Sequence, residues 1–239
     1  MRKTREAAGT ALGAFVVEGA RVERWGAVPY AVYPAVRSRR SADPDAARTA
    51  LHGVLREVGH GELAPLSRTV LWGRLASARG RADVADAHGH AVREHVLARC
   101  VDAVVPVGPT HGDLHAGNVM LPVSGGAKLV DWNRFEACNP LVLDSLFAAA
   151  EEFRAAHGAT FAEALLAFVD GGAAGPAAER ARALLGDLAP LEAAMVVFVD
   201  RAVTYGQPRR RYRPWTLPPL QATGEALTAR LGEERAGRA

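Results

Sequence analysis

HGDLHAGNVMLPVSGGAKLVDW, residues 111–132, decides how the rest of the chain is read. Asp113 sits in a polar turn, Asn118 follows five residues on, and Asp131 closes an apolar run. Val119, Met120 and Leu121 form one short apolar run and residues 127–130 a second, with Ser124, Gly125 and Gly126 between them. Two apolar runs about a Gly-Gly turn predict a β-hairpin. Such a hairpin brings Asn118, where its first strand starts, close to Asp131, where its second ends. Asp113 then lies just outside, on the loop leading in.

An Asp, an Asn and an Asp at one spot suit a particular chemistry. Carboxylate and amide oxygens are hard ligands that fit Mg2+, which keeps some waters and takes its other ligands from substrate phosphates. An Asp on the neighbouring loop can orient a hydroxyl and accept its proton. These are the parts of a phosphoryl-transfer site. The order Asp, four residues, Asn, then a later Asp after a strand is that of the catalytic and metal-binding loops of kinases.

HGDLHAGNVML followed by KLVDWNRF resembles the catalytic core of the aminoglycoside phosphotransferase and choline kinase family. The resemblance implies an α+β, protein-kinase-like fold. It implies Asp113 as catalytic base, and Asn118 and Asp131 as holders of Mg2+ on the phosphates of ATP or GTP. His111 and His115 would brace the loop through hydrogen bonds to backbone or carboxylates. Asp144, in NPLVLDSLF, matches a structural Asp at the start of the family's next helix. The acceptor would be a hydroxyl on a small molecule.

Composition fits this reading. The chain has 239 residues, 49% of them hydrophobic and 23% charged, which is long enough for a sizeable core and ordinary for a globular protein. A net charge of +3 gives no reason to expect a nucleic-acid partner. Cys100 and Cys138 make neither a disulfide framework nor a four-ligand zinc site. No stretch has the apolar length of a signal peptide core or a membrane span, so a cytoplasmic protein is expected.

Upstream of the decisive stretch, residues 3–14 suit a helix. Residues 15–36 suit a small antiparallel strand pair, with Pro29 and Pro34 favouring an edge. Residues 38–44 read as a hinge. Helices are expected over 45–58 (Asp43 as cap and Pro44 in the first turn), 67–76 and 88–104, with 106–109 leading into the catalytic loop. Downstream, helices are expected over 140–156, 160–169, 177–188, 190–205 and 220–231. Residues 1–37 are thus the remnant of an N-terminal lobe, and 38–239 a mostly helical C-terminal lobe carrying the catalytic hairpin.

A full N-terminal lobe in this family would add a phosphate-covering hairpin and a strand Lys paired with a helix Glu. Glu6 is the candidate Glu, and Tyr33 lies where the hinge would hold the nucleotide base. The chain's only lysines are Lys3, on the same presumed helix as Glu6, and Lys128, inside the catalytic hairpin. Arg is a poor substitute for a Lys point charge there. Three explanations follow: an upstream segment or partner chain completes the lobe, the kinase holds phosphates in another way, or the fold is kept for binding alone. A small-molecule kinase is the first expectation and a catalytically impaired binding or regulatory protein the second. A His-Asp hydrolase is a distant third, since no Ser or Cys stands in a nucleophile elbow.

Other features read as bland. Gly125 and Gly126 make a turn, and His88, His90 and His95 suit a helix surface or cap. Glu151 and Glu152 suit a solvated face rather than a seat for a cationic acceptor. Arg209, Arg210, Arg211 and Arg213 suit a solvated loop rather than an anion site, and Trp215 carries only a weak hint of covering the acceptor.

Overall fold

The structure, a computed structural model, describes residues 2–17, 21–25, 28–32, 44–77, 86–205 and 217–237. Its first helix, α1 (Arg2–Ala8), is shorter than the 3–14 expected. Thr10 ends it by turning its hydroxyl back onto the Ala7 carbonyl at 2.7 Å. A 3-10 turn follows at Gly13–Phe15. A Cβ on Gly13 would lie 2.4 Å from the Ala8 carbonyl oxygen, so the chain folds back tightly on the helix end. Ala7, Leu12, Phe15 and Val16 are buried in the same core as the rest of the body.

The expected strand pair is present as β1 (Arg21–Trp25) and β2 (Val28–Val32), antiparallel, with Arg21 opposite Val32 and Trp25 opposite Val28. Phe15 is not part of it, and Val16 instead bridges in parallel to Leu129 of the hairpin after residue 118. Tyr33, the hinge residues 38–43 with the cap Asp43, the arginines of 209–213 and Trp215 lie outside the described residues, as does the 37/38 boundary.

The body is built from helices whose starts the sequence marks well. Pro44 opens α2 (Pro44–Glu57), which buries Ala47, Leu51, Val54 and Leu55. Next come α3 (Val70–Ser77) and α4 (Ala87–Arg99). Asp86 caps α4, accepting from the Gly89 N–H at 2.9 Å. Then come α5 (Val142–His157), α6 (Phe161–Val169), α7 (Pro176–Ala183), α8 (Pro190–Tyr205) and α9 (Leu217–Ala236). Thr160 and Glu163 form a reciprocal capping box at the start of α6. Helix α5 is buried continuously from Val142 to Ala150, and α8 from Ala193 to Thr204. These two helices form the centre, with α6, α7 and α9 packed around them. Among the described residues no helix is long and apolar enough to cross a membrane.

The sequence reading overlooks one sheet. β3 (Glu62–Pro65), β4 (Val104–Thr110) and β7 (Glu136–Pro140) form an antiparallel sheet in the order β3-β4-β7. The expected helix to 104 therefore ends at Arg99, and residues 106–109 are a central strand rather than a lead-in. The register breaks between Gly108 and Thr110, which places Pro109 in the irregularity. Strand β4 delivers the chain directly to His111. The expected hairpin is present as β5 (Val119–Met120) and β6 (Lys128–Leu129), two residues each and so shorter than expected. The architecture is α+β, mostly helical with small antiparallel sheets.

Candidate active site

Two peptide groups of the 111–113 loop are pinned from below. Asp144, in the first turn of α5, accepts from the His111 N–H at 2.6 Å and from the Gly112 N–H at 2.8 Å. Burial pushes the Asp144 carboxyl above its usual range, opposed by His111, by these two N–H donors and by Arg201. Gly112 has φ +80°, and a Cβ there would sit 2.5 Å from the Arg134 carbonyl oxygen. Only glycine lets the loop pass this close to the turn after Asp131.

The His111 ring is buried beside Trp132, with ring centroids 4.8 Å apart. Its Nε2 lies 2.8 Å from the Val130 carbonyl oxygen. A carbonyl can only accept, so Nε2 carries the proton. Burial lowers the His111 pKa from 6.5, against the pull of Asp144, the Val130 carbonyl, Asp113 and Asp131. Below pH 6.5 the unfolded chain takes up a proton that the folded ring resists, so His111 lowers stability as pH falls through and below that value. Melting temperatures measured from pH 7.5 to 5 should fall more steeply for the wild type than for His111→Gln. Parallel curves would show that His111 is not held neutral.

Three hydrogen bonds bring the central residues together. Asn118 donates from Nδ2 to the Asp113 carbonyl at 2.8 Å, the Val130 N–H donates to the Asn118 carbonyl at 3.0 Å, and His111 reaches Val130 as above. Because the Asp113 carbonyl can only accept, the Asn118 amide nitrogen must face it, which leaves Oδ1 without a hydrogen-bond partner among the described residues. Asp131 is exposed and, among the described residues, is the sole non-glycine residue with positive φ, at φ 60° and ψ 56°. Asp tolerates that region better than most residues, yet such backbone still carries a cost and marks places held by their surroundings. Asn133 donates to Asp131 Oδ1 at 2.5 Å. His115 accepts from the Gly117 N–H at 3.2 Å, opening the 3-10 turn Ala116–Asn118 that places Asn118.

The Asp113 side chain is held by groups that the sequence reading did not pick out. Arg201, on α8, donates to Asp113 Oδ1 at 2.6 Å, and Arg134 Nη1 stands 3.9 Å from the same oxygen. Burial raises the Asp113 pKa, but the Arg201 charge and hydrogen bond, with Arg134 and His115, outweigh it and hold the carboxyl below its usual range. Arg134 in turn donates to Asp200 at 2.6 Å and to Thr204 at 3.2 Å. Arg74 stands 3.8 Å from Asp200 and 3.7 Å from Glu136, and Lys3 donates to Glu136 at 2.8 Å. Alternating charges therefore run from Asp113 to α1. The Asp200-Arg201 pair in the apolar run MVVFVDRAV was the available signal, since charges in a buried helix need partners.

The remaining candidates fall elsewhere. Glu6 faces Arg2 at 3.4 Å and Lys3 at 3.8 Å on its own helix. Lys128 donates to the Ala14 and Val16 carbonyls at 2.9 and 3.1 Å and so staples the segment after α1 to the hairpin. Glu151 and Glu152, expected on a solvated face, pair with Arg154 and His52, each at 2.6 Å. Asp86, not a histidine, caps α4. Gly125 and Gly126 have φ +89° and +71°, as a turn requires.

The donor types of Asn118 and Asp131, an amide oxygen and an exposed carboxylate, are hard ligands of the kind Mg2+ accepts. One amide oxygen fixed by the loop and one exposed carboxylate leave room for waters and phosphate oxygens, the coordination that Mg2+ prefers. Among the described residues no group of three or more His, Cys, Asp or Glu could hold a metal by themselves. No family model matches the chain, and no curated protein matches it significantly.

Proposed function

We propose that the chain is a magnesium-dependent phosphotransferase with a protein-kinase-like fold, resembling the aminoglycoside phosphotransferase and choline kinase family. It would move the γ-phosphoryl of ATP or GTP to a hydroxyl of a small molecule. The observation that carries the reading is the tie between the Asn118 amide and the Asp113 carbonyl, on a loop that His111 joins to the residue before Asp131. It locks a candidate base and two candidate metal ligands into one unit.

Asp113 orients the acceptor hydroxyl and takes its proton. Asn118 and Asp131 would hold Mg2+, which supplies charge neutralisation at the transferring phosphoryl. Asp144 keeps the loop backbone in register by occupying its two N–H groups. His111 fixes the distance between that loop and the strand leading to Asp131. Catalysis of this kind is mainly positioning and electrostatics, so small displacements of these groups have large effects.

A second reading, a kinase-derived protein that binds without turnover, draws on the two lysines. Lys3 is engaged by Glu136, and Lys128 by two backbone carbonyls. Neither is spare for gripping phosphates. An upstream segment or a partner chain that brings such a cation would restore the first reading.

Calorimetric titration with ATP, with and without Mg2+, tests the proposal. Magnesium-dependent binding is expected, weakened at least about tenfold in Asp131→Asn. Equal binding by the variant would remove Asp131 from the metal site. Absence of nucleotide binding by the wild type would remove the phosphotransferase reading.

A further inference from the structure

Helix α5 supports the candidate base twice. Asp144 holds the loop's backbone, and Phe147, three residues on and so on the same face of the helix, carries the Arg201 guanidinium. The guanidinium carbon lies 3.3 Å from the Phe147 ring centroid, and Nη1 lies 2.6 Å from Asp113 Oδ1. The arrangement has a clear inner and outer side. The Arg201 side chain is 6% exposed, while that of Asp113 is 21% exposed. Arg201 thus reaches Asp113 from the core side, with one face covered by an aromatic ring. The His115 ring packs edge-on against the same Phe147 at 6.1 Å. Arg134 approaches Oδ1 as well, at 3.9 Å. Both cations favour one oxygen of the carboxylate, and among the described residues Oδ2 has no hydrogen-bond partner.

We propose that Arg201 is a positioning residue for the transfer step: it clamps Oδ1 of Asp113 so that Oδ2 is left to receive the acceptor's proton. This rests on the phosphotransferase reading above. In the step, the acceptor oxygen bonds to the γ-phosphorus and the bond from that phosphorus to the β–γ bridging oxygen breaks. ADP leaves with that electron pair, and the acceptor's proton passes to Oδ2. Arg201 touches none of the reacting atoms. Its part is to fix the rotamer of the base against a rigid aromatic platform, and the opposite arrangement, a latch that holds the base out of use, predicts the opposite sign.

Phosphate release from ATP with Mg2+, using water as acceptor, reads the difference. Arg201→Met should lower kcat about a hundredfold while KM for ATP stays within about twofold. Arg201→Lys, which keeps the charge without the planar fork, should recover part of the loss. Guanidinium chloride at low millimolar concentration should raise the rate of Arg201→Ala and leave the wild type unchanged. A rate at or above wild type in Arg201→Met overturns the proposal in favour of a latch or a bystander. A loss that neither Lys nor guanidinium relieves, with KM and melting temperature moving alongside kcat, reduces Arg201 to a packing residue and also overturns it. Wild-type release no faster than that of Asp131→Asn overturns the phosphotransferase reading and this proposal with it. Wild-type turnover with an indifferent Arg201→Met overturns this proposal alone.

Discussion

Asp113→Asn is expected to lower phosphoryl transfer about 10²- to 10⁴-fold, the usual worth of a positioned general base. The substitution is chosen for its shape. An asparagine keeps an oxygen where Arg201 donates, so the loop retains its 2.6 Å contact while the proton acceptor is lost. The Asn118 anchor is the backbone carbonyl of residue 113, not its side chain, so that link survives. Magnesium-dependent ATP affinity should therefore change only a few-fold. The split between binding and turnover is the informative part. Loss of both together would mean that the charge of Asp113 holds the loop in place, and the rate could not then be assigned to proton transfer. A rate within threefold of wild type would leave the site without its base. Melting temperature should be measured beside the rate, because Arg201 keeps its burial but loses its carboxylate partner.

The part of this site that the sequence revealed is the part built from short-range contacts. Asn118 reaches Asp113 across five positions, and Gly112 and His111 reach Asp144 across little more than thirty. Residue order constrains such loops strongly, because turn residues and strand ends fix where each side chain can go. Arg201 reaches Asp113 across 88 positions and Arg134 reaches Asp200 across 66. Those contacts depend on where α8 lies against α5, which no local pattern encodes. The lysine question shows the same limit. Sequence order left Lys3 and Lys128 without a phosphate role but did not say what they do. The fold assigns one to Glu136 and the other to the carbonyls after α1.

Some helices carried their own boundary chemistry. Pro44, Pro176 and Pro190 each open a helix, and Thr160 with Glu163 caps another. The β3-β4-β7 sheet had no such signal. Its central strand contains Pro106, Gly108 and Pro109, residues that argue against a central strand. The fold accommodates Pro109 in a register break, and Pro106 still uses its carbonyl to accept from the Leu141 N–H at 2.9 Å. Leu63 on β3 is exposed, so hydrophobic alternation does not mark that strand either. Strand β4 is the strand that bears on the candidate site, since it sets the entry of the chain into His111.

Asp200→Ala is expected to cost about 3–5 kcal/mol of folding stability, the range for breaking a buried ion pair from one side. The side chains of Arg134 and Asp200 are 6% and 8% exposed, at 2.6 Å. Removing the carboxylate takes from Arg134, a buried cation, its 2.6 Å partner; among the described residues Asp113 at 3.9 Å remains beside it, and Arg74 loses its 3.8 Å neighbour. A loss of this size is a large share of the roughly 5–15 kcal/mol that a domain has in total, so a sharply lowered urea midpoint is the expected readout. The double variant Arg134→Met with Asp200→Leu should be less damaged than Asp200→Ala, because it removes both charges and fills the space with apolar atoms. If the double variant is instead the weaker of the two, the packing of Arg134 against the loop, and not its charge, is what the fold requires. The same pair separates stability from function. Arg134 lies beside Oδ1 of Asp113, so a folded double variant that binds ATP with Mg2+ yet turns over slowly would show that the second guanidinium also serves the base.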